Sequence, residues 1–163
     1  MMARSPRLAV PSVLGILASV ADNETAAAEP IAIAIATVTS PEGYRGEART
    51  GTHRFVVDEG PVDGGNDEGP NPYQLLMTAL CQCTSATLRM YSDRKGWKPG
   101  EIRVEARLVR VGDGESKTEQ VERSIRFGAQ LTEEQVDRLM EIAERTPVTR
   151  TLRAGVAIDT VRG

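Results

Sequence analysis

Two cysteines separated by one residue, Cys81 and Cys83, are the side chains whose type and spacing most directly invite chemistry, and His53 is the single histidine. A thiol becomes a nucleophile, a redox group or a metal ligand once it loses its proton. Both cysteines lie in a helix-compatible stretch from Tyr73 to Lys95. Two positions along a helix turn side chains by about 200°, so the thiols face nearly opposite ways and cannot bridge without unwinding. That geometry offers a metal one ligand per face, and His53 falls on a distant predicted strand, so neither a metal site nor a cofactor is expected. His53 reads as a structural or surface histidine. A cysteine on an apolar helix is by default a small hydrophobe, and it acts as a nucleophile only where a cation or a helix N-terminus favours the thiolate. Cys83 lies several turns inside the helix, beyond useful reach of the dipole. A guanidinium from elsewhere is required, and Arg45, Arg49 and Arg54 on the amino-terminal strands are the candidates.

The elements that must carry these residues follow from pattern. Residues 31–39, IAIAIATVT, have strand propensity; Pro41-Glu42-Gly43 supplies a turn; residues 44–50 and 53–58 continue as a second and third strand divided at Gly51-Thr52. An antiparallel meander is expected. Residues 59–72, rich in Gly, Asp and Pro, form a loop near the length at which structureless loops tend to be functional. Asn71 suits an N-cap, Pro72 the first helical position and Gly96 the residue past the end, bounding a helix about 35 Å long. That helix is apolar nearly all round and charged only after Arg89, which calls for burial on several sides, by a sheet and by a second subunit. Ile102, Val104, Ala106 and Leu108 alternate with Arg103, Glu105 and Arg107 as in a half-buried strand; a turn at residues 112–116 leads to a partner strand, residues 119–127. Thr132 and Gln135 form a capping box, with Leu131 and Val136 as its staple, for a second helix. Thr146-Pro147 starts a short helical turn, and residues 156–161 read as a last strand. The sum is an α+β fold with mainly antiparallel sheets.

Composition limits the rest. A chain of 163 residues suits one domain. Lys plus Arg is 20 against 23 Asp plus Glu, a net charge of −3, which argues against a nucleic-acid partner. No apolar run reaches membrane-spanning length. Residues 1–30 read as an amino-terminal extension ahead of a domain over residues 31–163. Its segment LAVPSVLGILASVA, ending in Ser19-Val20-Ala21, has the pattern of an export signal, interrupted by Pro11 and Gly15. The preferred reading is a start-site extension or a terminal segment packed on the body or on a partner subunit, in a cytoplasmic protein, with export as the alternative.

Residues 64–97, GGNDEGPNPYQLLMTALCQCTSATLRMYSDRKGW, together with THRFVVDEGP before them and TPVTRTL after them, closely resemble the OsmC/Ohr family of osmotically inducible and organic hydroperoxide resistance proteins. The resemblance extends over about residues 31–162 and implies antiparallel sheets wrapped around a long central helix in an intertwined homodimer, with two sites at the subunit interface. It also implies reduction of organic hydroperoxides by a peroxidatic cysteine, resolved by a second cysteine and re-reduced by a dithiol. By position Cys83 matches the peroxidatic cysteine and Arg45, in GYRG, the arginine that activates it; Tyr73, Gln74 and Thr146 fall at pocket positions, and Cys81, where the family usually has a small residue, is a secondary redox candidate.

Two departures matter. Thr146 stands where the family's resolving cysteine precedes proline, and a hydroxyl cannot form a disulfide. Tyr73 stands where the hydroperoxide reductases carry glutamate, although related OsmC-like members also use tyrosine. Three readings follow: a thiol peroxidase completed by an external thiol reductant or by a cysteine of the other subunit; a non-catalytic protein that binds a small apolar ligand or senses redox state; or an enzyme using Cys83 on another electrophile.

Overall fold

The computed structural model describes residues 34–112 and 117–163, so the amino-terminal extension, the first residues of the expected first strand and most of the 112–116 turn lie outside the described residues. The meander forms, with a first strand shorter than expected: residues 34–36 lie outside any strand. Strands β1 (Thr37–Thr39), β2 (Gly46–Thr50) and β3 (His53–Val57) make an antiparallel sheet in that order. Its register pairs Val38 with Ala48 and Ala48 with Phe55. β2 alternates buried Gly46 and Ala48 with exposed Glu47 and Arg49, the two-residue period of a strand covered on one face.

The loop that follows is ordered by one carboxylate. Asp58, only 3% exposed, accepts backbone N–H bonds from Glu59 (2.9 Å), Asn66 (2.9 Å) and Glu68 (3.3 Å). The Asn66 N–H does most to hold its carboxyl below the usual range, against burial, with further help from Glu68, Glu59 and the Arg45 charge. The backbone closes so tightly that a Cβ on Gly65 would lie 1.9 Å from the Glu59 carbonyl oxygen, and one on Gly69 2.2 Å from that of Val56. These two positions admit only glycine without moving backbone.

Helix α1 runs from Pro72 to Lys95. Its start is a full capping box: the Asn71 side chain accepts from the Gln74 N–H (2.9 Å) and the Gln74 side chain accepts from the Asn71 N–H (2.8 Å). Gly96, left-handed at φ 69°, ends it by donating to carbonyls of the last turn. Beyond it β4 (Ile102–Val111) and β5 (Thr118–Phe127) pair antiparallel, Ile102 opposite Phe127 and Val111 opposite Thr118. Helix α2 (Glu133–Ala143) opens with the predicted Thr132–Gln135 capping box, and Thr146-Pro147 starts a helix of two turns, α3 (Pro147–Ala154).

The core forms where these elements converge. Leu88 of α1 and Leu139 and Ala143 of α2 are fully buried, surrounded by Tyr91, Trp97, Ile102, Ile125, Phe127, Leu131 and Ile142. Helix α1 packs on β4, α2 and α3, whereas the first sheet packs chiefly on itself. No helix among the described residues is long and apolar enough to cross a membrane. The final strand expected over residues 156–161 does not form: Val156, Ile158 and Val161 are 71%, 86% and 85% exposed and unpaired. Strand propensity becomes structure only beside a sheet edge, and among the described residues no strand edge receives this segment.

Candidate functional site

The two thiols are set apart by the rotation of α1. Its buried residues, Met77, Leu80, Thr84, Leu88 and Ser92, recur every three or four positions and define one inward direction. At about 100° per residue, Cys81 lies about 40° from that direction and Cys83 about 120° from it. Both are free thiols of intermediate burial. Cys81 turns toward β4, where it lines an open groove of about 630 Å³ with Asn71, Tyr73, Gln74, Met77 and residues 104–108. Burial raises its pKa, against the lowering effects of the Arg123 charge and the Ala106 N–H. Cys83 is not part of that groove.

Cys83 belongs instead to a second stripe of α1, formed by Leu76, Ala79, Cys83, Ala86 and Met90. Their spacing of three, four, three and four places them in one line about 140° from the inward direction. Ala79 and Ala86 are exposed, and Leu76 and Met90 are 37% and 54% exposed. The sequence predicted a helix covered on several sides. Within one protomer a single side is covered, and an apolar seam centred on a cysteine is left open.

Behind the Cys83 turn lies a charged group that the sequence reading did not single out. Arg123 of β5, with a side chain only 10% exposed, donates from Nη1 to Thr84 Oγ1 and to Thr149 Oγ1, both at 2.9 Å. From Nη2 it donates to the Ala143 carbonyl and to Glu144 Oε1, both at 3.0 Å. Glu144 also pairs with Arg153, and that hydrogen bond is the main cause of its lowered pKa. Fully buried Thr146 joins through a hydroxyl contact of 2.7 Å to Thr149. A cavity of about 450 Å³ opens beside the cluster, floored by Leu80, Val121, Met140 and Leu152. A signal was available: Val121, Arg123, Ile125 and Phe127 share the inward register of β5, which puts a guanidinium on an apolar face.

The other sequence candidates lie elsewhere. Arg45 is bound to Glu68 at 2.9 Å and lies 3.7 Å from Glu47, so its guanidinium serves the loop before α1. Arg49 and Arg54 face each other across β2 and β3. His53 is exposed on β3. Tyr73, 52% exposed, and Gln74 share the Cys81 groove, while Thr146 lies in the Arg123 cluster. The protomer thus brings Tyr73 and Gln74 together with Cys81 and does not gather Cys83, Arg45 and Thr146 at one point. Among the described residues no three His, Cys, Asp or Glu side chains are grouped as a metal site.

A family model described as OsmC-like protein matches residues 64–161, from the loop glycines through α1 to the carboxyl-terminal segment. No curated protein matches the chain. Solved structures share the fold. An organic hydroperoxide resistance protein of Elizabethkingia anophelis superposes with a TM-score of 0.61 at 24% identity, covering 77% of this chain and 91% of that one. The organic hydroperoxide resistance protein OsmC of Legionella pneumophila gives 0.57 at 16%, covering 77% and 92%. The organic hydroperoxide resistance protein OhrB of Bacillus subtilis gives 0.53 at 18%, covering 74% and 90%. The helices and antiparallel sheets described above are those of these neighbours, and the family model spans more than half of the sequence: the chain belongs to the OsmC-like protein family.

Proposed function

We propose that the protein is a thiol-dependent peroxidase that reduces organic hydroperoxides through Cys83 and is completed as a homodimer. The observation that supports this reading is the place of Cys83 at the middle of an open, heptad-spaced apolar seam on α1. A second copy packed on that seam would bury the thiol beside aliphatic side chains, an environment that admits an organic peroxide and excludes bulk water. Three structural relatives are named for organic hydroperoxide resistance, which agrees with the same chemistry.

In the proposed cycle the Cys83 thiolate attacks one oxygen of the hydroperoxide. The O–O bond breaks, the alcohol leaves after taking a proton, and the sulfur becomes a sulfenic acid. Thr146 cannot resolve it. An external thiol then displaces water to give a mixed disulfide, and a second thiol releases reduced Cys83 and a disulfide product. Arg45, carried by the first sheet of the partner, is the proposed cation for the thiolate.

A second reading is favoured by two observations. Thr146 is buried and hydrogen-bonded, and Arg45 is already engaged by Glu68. Under that reading the protein keeps the seam pocket for binding or redox sensing and turns over nothing. The test is consumption of cumene hydroperoxide with dithiothreitol as reductant, together with mass-spectrometric mapping of sulfenic acid. The proposal expects turnover in the wild type and in C81S, none in C83S, and sulfenic acid at Cys83. Absence of turnover, or oxidation confined to Cys81, refutes it.

A further inference from the structure

We infer that Arg123 is the positioning residue that sets the rotation of α1 and so decides which thiol of the Cys-x-Cys pair is presented at the seam. The inference deepens the reading above, in which Cys83 is the reactive thiol.

Hydrophobic burial orients a helix when its apolar residues form one stripe. In α1 apolar residues occupy both the inward stripe (Met77, Leu80, Leu88) and the opposite seam (Leu76, Ala79, Ala86, Met90). Burial by itself therefore discriminates weakly between rotational settings. A directional contact must supply the difference, the use for which buried polar groups are best attested. The hydrogen bond from Arg123 to Thr84 is such a contact, made at the residue directly after Cys83.

Arg123 is itself held by several directional contacts. Its remaining bonds go to Thr149, the Ala143 carbonyl and Glu144, all at the junction of α2 and α3, and Thr149 is held in turn by Thr146. Thr84 is held as well: its hydroxyl donates to the Leu80 carbonyl at 2.8 Å while accepting from Arg123. A planar guanidinium spanning four acceptors locks this turn of α1 against two other elements. With Thr84 drawn inward, Cys83 points to the seam and Cys81 toward β4.

The test measures alkylation of each thiol separately, Cys83 in a C81S background and Cys81 in a C83S background, with iodoacetamide on the full-length protein. R123M, R123K and T84V are compared with the parent. The Cys83-to-Cys81 rate ratio is the readout, taken only on variants that circular dichroism shows folded under the assay conditions, because global unfolding exposes both thiols and drives the ratio toward one. Loss of one buried hydrogen bond to a charged group is expected to shift the ratio at least about fivefold. R123K should behave as R123M, since an ammonium keeps the charge and loses the fork, and T84V carries the test if R123M fails to fold. A ratio within about twofold of the parent in folded R123M or T84V, or full retention in R123K, overturns the inference. Peroxide turnover is measured independently, so its absence in the wild type defeats the peroxidase reading without deciding this one.

Discussion

The open seam on α1 makes the proposed dimer vulnerable to one substitution, Ala86→Glu. Ala86 lies one turn beyond Cys83 and is exposed in the protomer. A glutamate there costs the isolated helix only about 0.4 kcal/mol in propensity, and the protomer should keep its fold. In a two-fold pair of helices the residue enters the interface twice. Taking about 2 kcal/mol for each unpaired carboxylate after relaxation, the pair loses about 4 kcal/mol, about a thousandfold in dimer affinity. Sedimentation velocity from about 0.1 to about 100 µM spans the range in which a nanomolar wild-type dimer and a micromolar variant separate. Circular dichroism should report the same helix content, and peroxide consumption should fall with the dimer fraction. Burial disfavours the charged carboxylate, so acidification toward about pH 5 should recover association. A variant that dimerises within threefold of wild type, or a wild type monomeric at the highest concentration, would refute the seam as the interface.

Three further outcomes follow from the geometry. Leu88→Ala, at the fully buried centre of the core, should destabilise the protomer by about 2 to 5 kcal/mol in urea titration, and a loss under about 1 kcal/mol would mean the site collapses or was never packed. The lowered pKa of Asp58 gives stability that is complete above its unfolded value of about 4 and is lost as pH falls through the lower folded value. D58N should therefore be less stable than wild type at neutral pH, with the difference narrowing below about pH 4 in thermal melts; a constant difference would count against the loop assignment. Burial holds the Cys81 thiol protonated, so in C83S its alkylation should reach half-maximal rate above the ordinary thiol value of about 8.5, and a midpoint below that would contradict its placement against β4.

Much of this architecture was legible in local chemistry. Asn71, Pro72 and Gly96 bounded α1, Thr132 and Gln135 began α2, and two-residue alternation marked β4, because caps and periodicity depend on residues a few positions apart. The opposite facing of Cys81 and Cys83 followed from helical geometry alone. Which of them faces β4 and which the seam did not, because an all-round apolar helix can present either side, and the choice rests on a contact from Arg123, 39 positions away from Thr84. The segment 156–161 carried strand propensity and found no sheet edge, since pairing is a property of two strands. Arg45 could be named from its motif, but only the folded chain set it against Glu68. Propensity and capping are local free energies readable from the string of residues, whereas the partners of a long charged side chain depend on which distant elements the fold brings within about 3 Å.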